Sequence, residues 1–136
     1  MHMAPRTVLV VDDDDDLREA ITDLLLLRGY HVTKAANGRE ALDCVAAGVP
    51  GVILLDMRMP VMNGWEFARA FREAHDSEAP IVVVTAADDA RRRAEEIGAA
   101  GWLGKPFESG DLYATVERYL DGGAGGGPSS AERPGG

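Results

Sequence analysis

Three stretches of the chain are apolar almost without interruption: Thr7-Val8-Leu9-Val10-Val11, Val52-Ile53-Leu54-Leu55 and Pro80-Ile81-Val82-Val83-Val84, the last closing on Thr85. Each is short and bounded by polar or turn residues, the pattern of a strand covered on both faces in a parallel sheet. Residues 30–35 (Tyr30 to Ala35) mix apolar with polar positions, as a half-exposed edge strand does, and Gly101-Trp102-Leu103-Gly104 reads as a short fifth strand. Between these runs the period becomes helical. Leu17, Ala20, Ile21, Leu24 and Leu25 recur at i, i+3, i+4, i+7 and i+8, predicting an amphipathic helix stopped by Gly29. Asn37 is the expected N-cap of a second helix through Ala41, Leu42 and Val45, ending near Gly48. Trp65, Phe67, Ala68 and Phe71 define a third helix, residues 88–97 a fourth closed by Gly98, and Leu112, Val116 and Leu120 the buried face of a fifth.

Strand and helix thus alternate five times, which predicts an α/β fold with a doubly wound, flavodoxin-like parallel sheet and right-handed crossovers. The three apolar strands belong at the centre and the mixed second and short fifth strands at the edges. Order 2-1-3-4-5 satisfies both demands. Its switch point lies between the first and third strands, where such sheets place their sites.

Composition narrows the class. At 136 residues, with 46% hydrophobic and 27% charged side chains, the chain is expected to form one globular domain. No apolar run approaches the ~20 residues that span a bilayer, and no signal peptide opens the chain, so a cytoplasmic protein without membrane contact is expected. The single cysteine, Cys44, cannot form an internal disulfide and lies at helical spacing among Ala41, Leu42 and Val45, where a small core residue is the simplest reading. A net charge of −9 repels duplex DNA, so no direct nucleic-acid contact is expected. The basic run Arg91-Arg92-Arg93 is flanked by Asp88, Asp89, Glu95 and Glu96 and reads as a solvated helix face.

The candidate chemistry sits where the apolar strands end. Asp56 follows the second of them and leads into a loop with Pro60 and Gly64; Asp12 and Asp13 follow the first. Asp14, Asp15 and Asp16 have a structural explanation in the cap and first turn of the following helix, whose free N–H groups favour carboxylates. Asp12 and Asp13 gain little from capping. Three carboxylates converging on one crevice repel one another, so a cation is expected among them. Hard oxygen ligands open to water suit Mg2+. Lys105, ending the fifth strand, adds a second positive charge on the same edge of the sheet. A phosphoryl group on Asp56 could then be held by the metal, Lys105, the Thr85 hydroxyl and loop N–H groups, as an acyl phosphate.

With these residues in place the chain resembles the receiver domains of two-component response regulators over about residues 6–121. The motifs are Val11-Asp12-Asp13, Leu54-Leu55-Asp56 with Pro60 and Gly64, Thr85-Ala86, and Lys105-Pro106-Phe107, each after its strand and in order. The resemblance implies that Asp56 takes a phosphoryl group from a histidine kinase or a phosphotransfer protein. It implies that Asp13 and Asp56 bind Mg2+ directly, Asp12 through water, and Arg58 through its backbone carbonyl. Thr85 and Lys105 would bind phosphoryl oxygens, and Trp102 stands where the family usually has a Tyr or Phe that moves with Thr85 on activation. Output partners would dock on the face made by the fourth helix, fifth strand and fifth helix. Such a domain catalyses only its own phosphoryl transfer and loss, so it is not expected to be an enzyme in the ordinary sense. Arg58 and Ala87 occupy the positions that tune phosphoryl lifetime in the family. Ala99-Ala100-Gly101 stands where the transcription-factor branch carries acids for dimer ion pairs.

The flanks differ in composition. Residues 1–5 are expected to be disordered or vector-derived, and 122–136, rich in Gly, to be a flexible tail or linker spanning roughly 20 Å. The chain is therefore either a free-standing receiver or one excised from a hybrid kinase or multidomain regulator. A receiver that works without phosphate would normally lack one of Asp13, Asp56, Thr85 or Lys105. Two other classes fit less well. A haloacid-dehalogenase-like phosphohydrolase needs an acid two residues after its nucleophile, and that position is Arg58, which cannot donate a proton at working pH. A flavodoxin-like cofactor carrier needs a phosphate loop after the first strand, where the five aspartates would repel phosphate.

Overall fold

Ten elements alternate along the chain: β1 (Thr7–Val11), α1 (Asp15–Leu27), β2 (His31–Ala35), α2 (Gly38–Ala47), β3 (Val52–Leu55), α3 (Gly64–Ala74), β4 (Ile81–Ala86), α4 (Ala87–Ile97), β5 (Gly101–Lys105) and α5 (Ser109–Leu120). The computed structural model describes residues 6–75 and 79–120. The expectations for residues 1–5, for Asp121 and for the Gly-rich segment 122–136 lie outside the described residues.

The five strands form one parallel sheet in the order β2-β1-β3-β4-β5, as the apolar pattern requires. Burial explains the order. Val52, Ile53, Leu54 and Leu55 are at most 1% exposed, as are Val8 to Val11, because helices cover both faces. Leu9, Val11, Ile53, Leu55, Ile81 and Val83 point to the side of Ala41, Val45, Phe67, Phe71 and Ala94. Val8, Val10, Val52, Leu54, Val82 and Val84 point to the side of Ile21, Leu25, Leu112 and Val116. One face thus carries α2, α3 and α4 and the other α1 and α5. The edge strand β2 leaves His31, Thr33 and Lys34 exposed.

Caps fall where the side chains dictate. Asp14 accepts the Leu17 N–H, Asn37 the Glu40 N–H and Asn63 the Glu66 N–H, the last closed reciprocally by the Glu66 carboxylate. Gly98 ends α4 in the left-handed region at φ 65°. Two local expectations are corrected. The buried stripe of α1 is Ile21, Thr22 and Leu25, whereas Ala20 is exposed and Leu17 and Leu24 are only half-buried. Alanine is too small to define a face, and Thr22 tolerates burial because its hydroxyl donates to the Arg18 carbonyl (2.8 Å). The strand ending in Thr85 runs one residue further, to Ala86, which pairs with Lys105.

Candidate functional site

The ladder hydrogen bonds do not stop at the last strand residues. Asp12 N–H donates to the Ala35 carbonyl (3.1 Å) and Asp56 N–H to the Val11 carbonyl (2.9 Å). Both aspartates are thereby fixed at the carboxyl edge of the sheet, side by side on β1 and β3. Asp12 is 2% exposed and Asp56 6%, whereas Asp13 is open to solvent. Carboxylate oxygens of Asp12, Asp13 and Asp56 lie within 4.8 Å of one another.

The neighbours of these acids are partly their own chain. Asp12 Oδ1 accepts the Asp14 N–H (2.9 Å), and Arg18 donates through Nη1 to the Asp12 carbonyl (2.8 Å) and through Nη2 to Asp15 Oδ1 (2.6 Å). Arg18 thus braces the turn that presents Asp12 and Asp13. Sequence reasoning missed it; the Asp15–Arg18 spacing of one helical turn was the available signal. Lys105, the last residue of β5, donates to Asp12 Oδ2 at 3.1 Å and stands 3.8 Å from Asp56 Oδ1. The Asp56 carboxyl is pushed up to about 7, by burial first and by the Asp12 carboxylate second; Lys105 opposes the rise, Asp13 adds to it, and the Met57 N–H hydrogen bond opposes it. Three hard carboxylates, two of them buried, with one facing solvent, form a donor set suited to a small divalent cation such as Mg2+.

Thr85 lies at the carboxyl end of β4, half-buried, in register with Gly104. Trp102 pairs with Val83 on β5, packs against the cluster beneath α4, and borders a cleft of about 240 Å3 with Arg91, Ala94, Glu95 and Gly98. Arg58 turns its side chain away from the protein interior, its guanidinium carbon 5.8 Å from the centre of the Trp65 ring. The loop after Asp56 is tightly made. An added Cβ at Gly64 would stand 2.8 Å from the Asp56 carbonyl oxygen and 2.7 Å from Met57 Sδ, so only glycine lets α3 begin so close beneath the carboxylate. Met62 N–H donates to the Pro60 carbonyl (2.7 Å), which forces the intervening Val61 to φ 67°, and Gly38 N–H holds the Met62 carbonyl (2.9 Å) from the start of α2. Cys44 is half-buried, its thiol directed to the Lys34 carbonyl at 3.7 Å. Burial and the nearby Glu40 and Asp43 push that thiol up, away from the thiolate. Each arginine of the 91–93 run has an acidic partner within one helical turn: Glu95, Asp89 and Glu96.

The five-stranded doubly wound sheet, with buried aspartates and a lysine converging at its carboxyl edge, defines an α/β domain with an acidic site at its switch point. Residues 8–117 match the sequence profile of the response regulator receiver domain, and the chain belongs to that family. It is 40% identical over 118 residues to the response regulator MprA of Mycolicibacterium vanbaalenii, a match covering 85% of this chain and 51% of the relative. The chain therefore spans about half the length of the curated relatives it matches. Among solved structures, the chemotaxis response regulator CheY4 of Vibrio cholerae superposes with a TM-score of 0.75 at 37% identity, covering 83% of this chain and 97% of that one. The receiver domain of the sensor histidine kinase PA1611 from Pseudomonas aeruginosa gives 0.78 at 29% identity, covering 87% and 99%; that structure holds a magnesium ion in its active-site cleft. No helix among the described residues is long and apolar enough to cross a membrane.

Proposed function

We propose that this domain is a phosphoreceiver in which Asp56 accepts a phosphoryl group, with Mg2+, from a histidine kinase or a phosphotransfer protein. The observation that carries the reading is the convergence of Asp12, Asp13 and Asp56 within 4.8 Å with Lys105 bridging the first and last. Asp13, Asp56 and the Arg58 carbonyl are the direct metal ligands in this reading, and Asp12 acts through water. When bound, Mg2+ supplies divalent charge that offsets the carboxylates and the incoming phosphoryl oxygens. An Asp56 carboxylate oxygen attacks phosphorus as the P–N bond of the donor phosphohistidine breaks, and the departing imidazole nitrogen takes up a proton. The product is an acyl phosphate on Asp56. Lys105 then exchanges Asp12 for a phosphoryl oxygen, and the Thr85 hydroxyl donates to another. Movement of Thr85 and Trp102 carries the change to the face made by α4, β5 and α5, where an output protein docks.

Acetyl phosphate tests the reading without a cognate kinase. Intact-mass measurement should show one added phosphoryl group on wild type with Mg2+, none after chelation, and none on Asp56→Asn. Labelling that survives Asp56→Asn would assign the nucleophile elsewhere.

A further inference from the structure

Trp65, the second residue of α3, is where the loop after Asp56 meets α4. Its indole Nε1–H donates to Glu96 Oε1 on α4 (2.8 Å). The Arg93 guanidinium carbon, also on α4, lies 5.4 Å from the ring centre, and Arg93 pairs with Glu96 at 3.0 Å. Arg58, two residues beyond Asp56, lies 5.8 Å from the same ring. Arg93 is only 14% exposed although it is fully charged, so the indole and Glu96 hold it down. At the far end of α3, Arg72 donates to the carbonyls of Ile97 and Gly98. The carboxyl-terminal half of α4 is thus fastened to α3 twice. Its other end, beside the candidate site, starts at Ala86 with no side-chain cap.

We infer that Trp65 is a clasp coupling the phosphoacceptor loop to α4: Arg58 on the loop side and Arg93 with Glu96 on the helix side share one indole, so withdrawal of Arg58 loosens α4. The inference rests on the reading of Asp56 as phosphoacceptor. A phosphoryl group there brings close to two negative charges beside a loop that carries the Arg58 guanidinium two residues beyond Asp56. A charge-assisted hydrogen bond to a phosphoryl oxygen outweighs an exposed cation–π contact of about 0.5–1 kcal/mol. Arg58 therefore leaves the ring for the phosphoryl group, and α4 keeps only its own half of the clasp. Because coupling is reciprocal, weakening the clasp from the α4 side must favour the phosphorylated arrangement.

Two measurements on the full chain test this. Arg58→Met keeps the unbranched stem and removes the charge. In the unliganded protein it should speed amide hydrogen exchange over residues 87–97 by about two- to fivefold, and it should add less in a Glu96→Ala background, where the indole has lost its hydrogen bond to α4 and keeps only the Arg93 contact. An unchanged exchange rate, or an equal acceleration with and without Glu96, overturns the clasp. In the second measurement, Glu96→Ala should bind beryllofluoride, with Mg2+, about two- to fivefold more tightly than wild type. Unchanged or weaker binding overturns the coupling. If wild type binds no beryllofluoride, the acceptor reading of Asp56 falls, and the exchange measurement still decides the clasp by itself.

Discussion

Lys105 and Asp12 form a hydrogen bond of 3.1 Å although β5 and β1 are separated in the sheet by β4 and β3. The lysine stem therefore lies across the ends of two strands and delivers its ammonium to the most buried of the three acids. Removing that charge leaves Asp12 with the Asp14 N–H as its remaining side-chain partner. Lys105→Met should cost about 1–3 kcal/mol in Mg2+-free buffer, read as a lower midpoint of thermal or urea unfolding. Because the acids then lack their internal cation, added Mg2+ should raise the melting temperature by more than it does in wild type. A smaller Mg2+ response in the variant would show that Lys105 helps the metal bind instead of substituting for it.

Wild type itself should gain stability from Mg2+. The gain follows RT ln(1 + [L]/Kd), about 1.4 kcal/mol at ten times Kd, or a few degrees in melting temperature for a domain of this size. Asp13→Asn removes the solvent-facing ligand and relieves part of the repulsion. It should therefore be more stable than wild type without metal and nearly indifferent to its addition. A wild-type melting temperature unmoved by millimolar Mg2+ would argue against the site.

Asp56 gives the site a pH dependence. Its carboxyl is pushed from an ordinary 3.8 up to about 7, by burial first and by Asp12 second, against the pull of Lys105. The folded state thus holds this proton more tightly than the unfolded chain does. The stabilisation it brings is fully present below about pH 4 and is lost as pH rises through 7. In Mg2+-free buffer, wild type should lose stability relative to Asp56→Asn between pH 5 and pH 8, since the amide does not titrate. Metal competes with the same proton, so the Mg2+-induced rise in melting temperature should grow over that interval. A wild-type-minus-variant difference that stays flat from pH 5 to 8 would contradict the raised value.

What could be read from the sequence, and what could not, follows from the range of the interactions involved. Strand order was legible because a strand buried on both faces must be apolar throughout, and Val52 to Leu55 cannot be mistaken for an edge. That Asp12, Asp13, Asp56 and Lys105 meet was legible for the same reason, as each ends a strand of known place. Which acid is buried was not: Asp12 and Asp13 are adjacent and chemically identical, and only the pleat of β1, continued by the bond to Ala35, turns one inward. Likewise Lys105 could be placed on the right edge but not assigned to Asp12 over Asp56. The contacts of Arg58 and Arg93 with Trp65 left no periodic trace, because they join a loop, a helix start and the middle of another helix by side chains alone.

Gly64 is the position where the loop leaves no room. A Cβ there meets the Asp56 carbonyl at 2.8 Å and the Met57 Cα at 2.8 Å, both backbone atoms that cannot swing aside. Gly64→Ala must therefore displace α3 or the peptide after Asp56. It should destabilise the domain by about 1–3 kcal/mol and slow labelling by acetyl phosphate, since the carboxylate moves with its backbone. Gly110→Ala is the matched control, as nothing lies within 4 Å of a Cβ at that site in α5. Equal stability of the two variants would mean that the loop yields more easily than its contacts imply.

Trp102 tests how a charge at Asp56 reaches the surface. Its indole packs on the α4 side of the sheet and borders the cleft formed with Arg91, Ala94, Glu95 and Gly98. Thr85 stands on the adjacent strand, paired with Gly104, two residues from Trp102 and one from Lys105. If the Thr85 hydroxyl is drawn toward a phosphoryl oxygen, it vacates space that a side chain of β5 can enter. The indole is larger than the Tyr ring usual at this position, so steric cost should make its rotation incomplete. In a Trp65→Phe background, where Trp102 is the remaining indole, beryllofluoride with Mg2+ should shift the emission of Trp102. Thr85→Ala in the same background should still bind the analogue, through Asp56, Lys105 and the metal, while the emission change shrinks. An equal Trp102 response with and without the Thr85 hydroxyl would exclude Thr85 as the link and leave the loop after Asp56 and its contact with α4 as the path by which the signal travels.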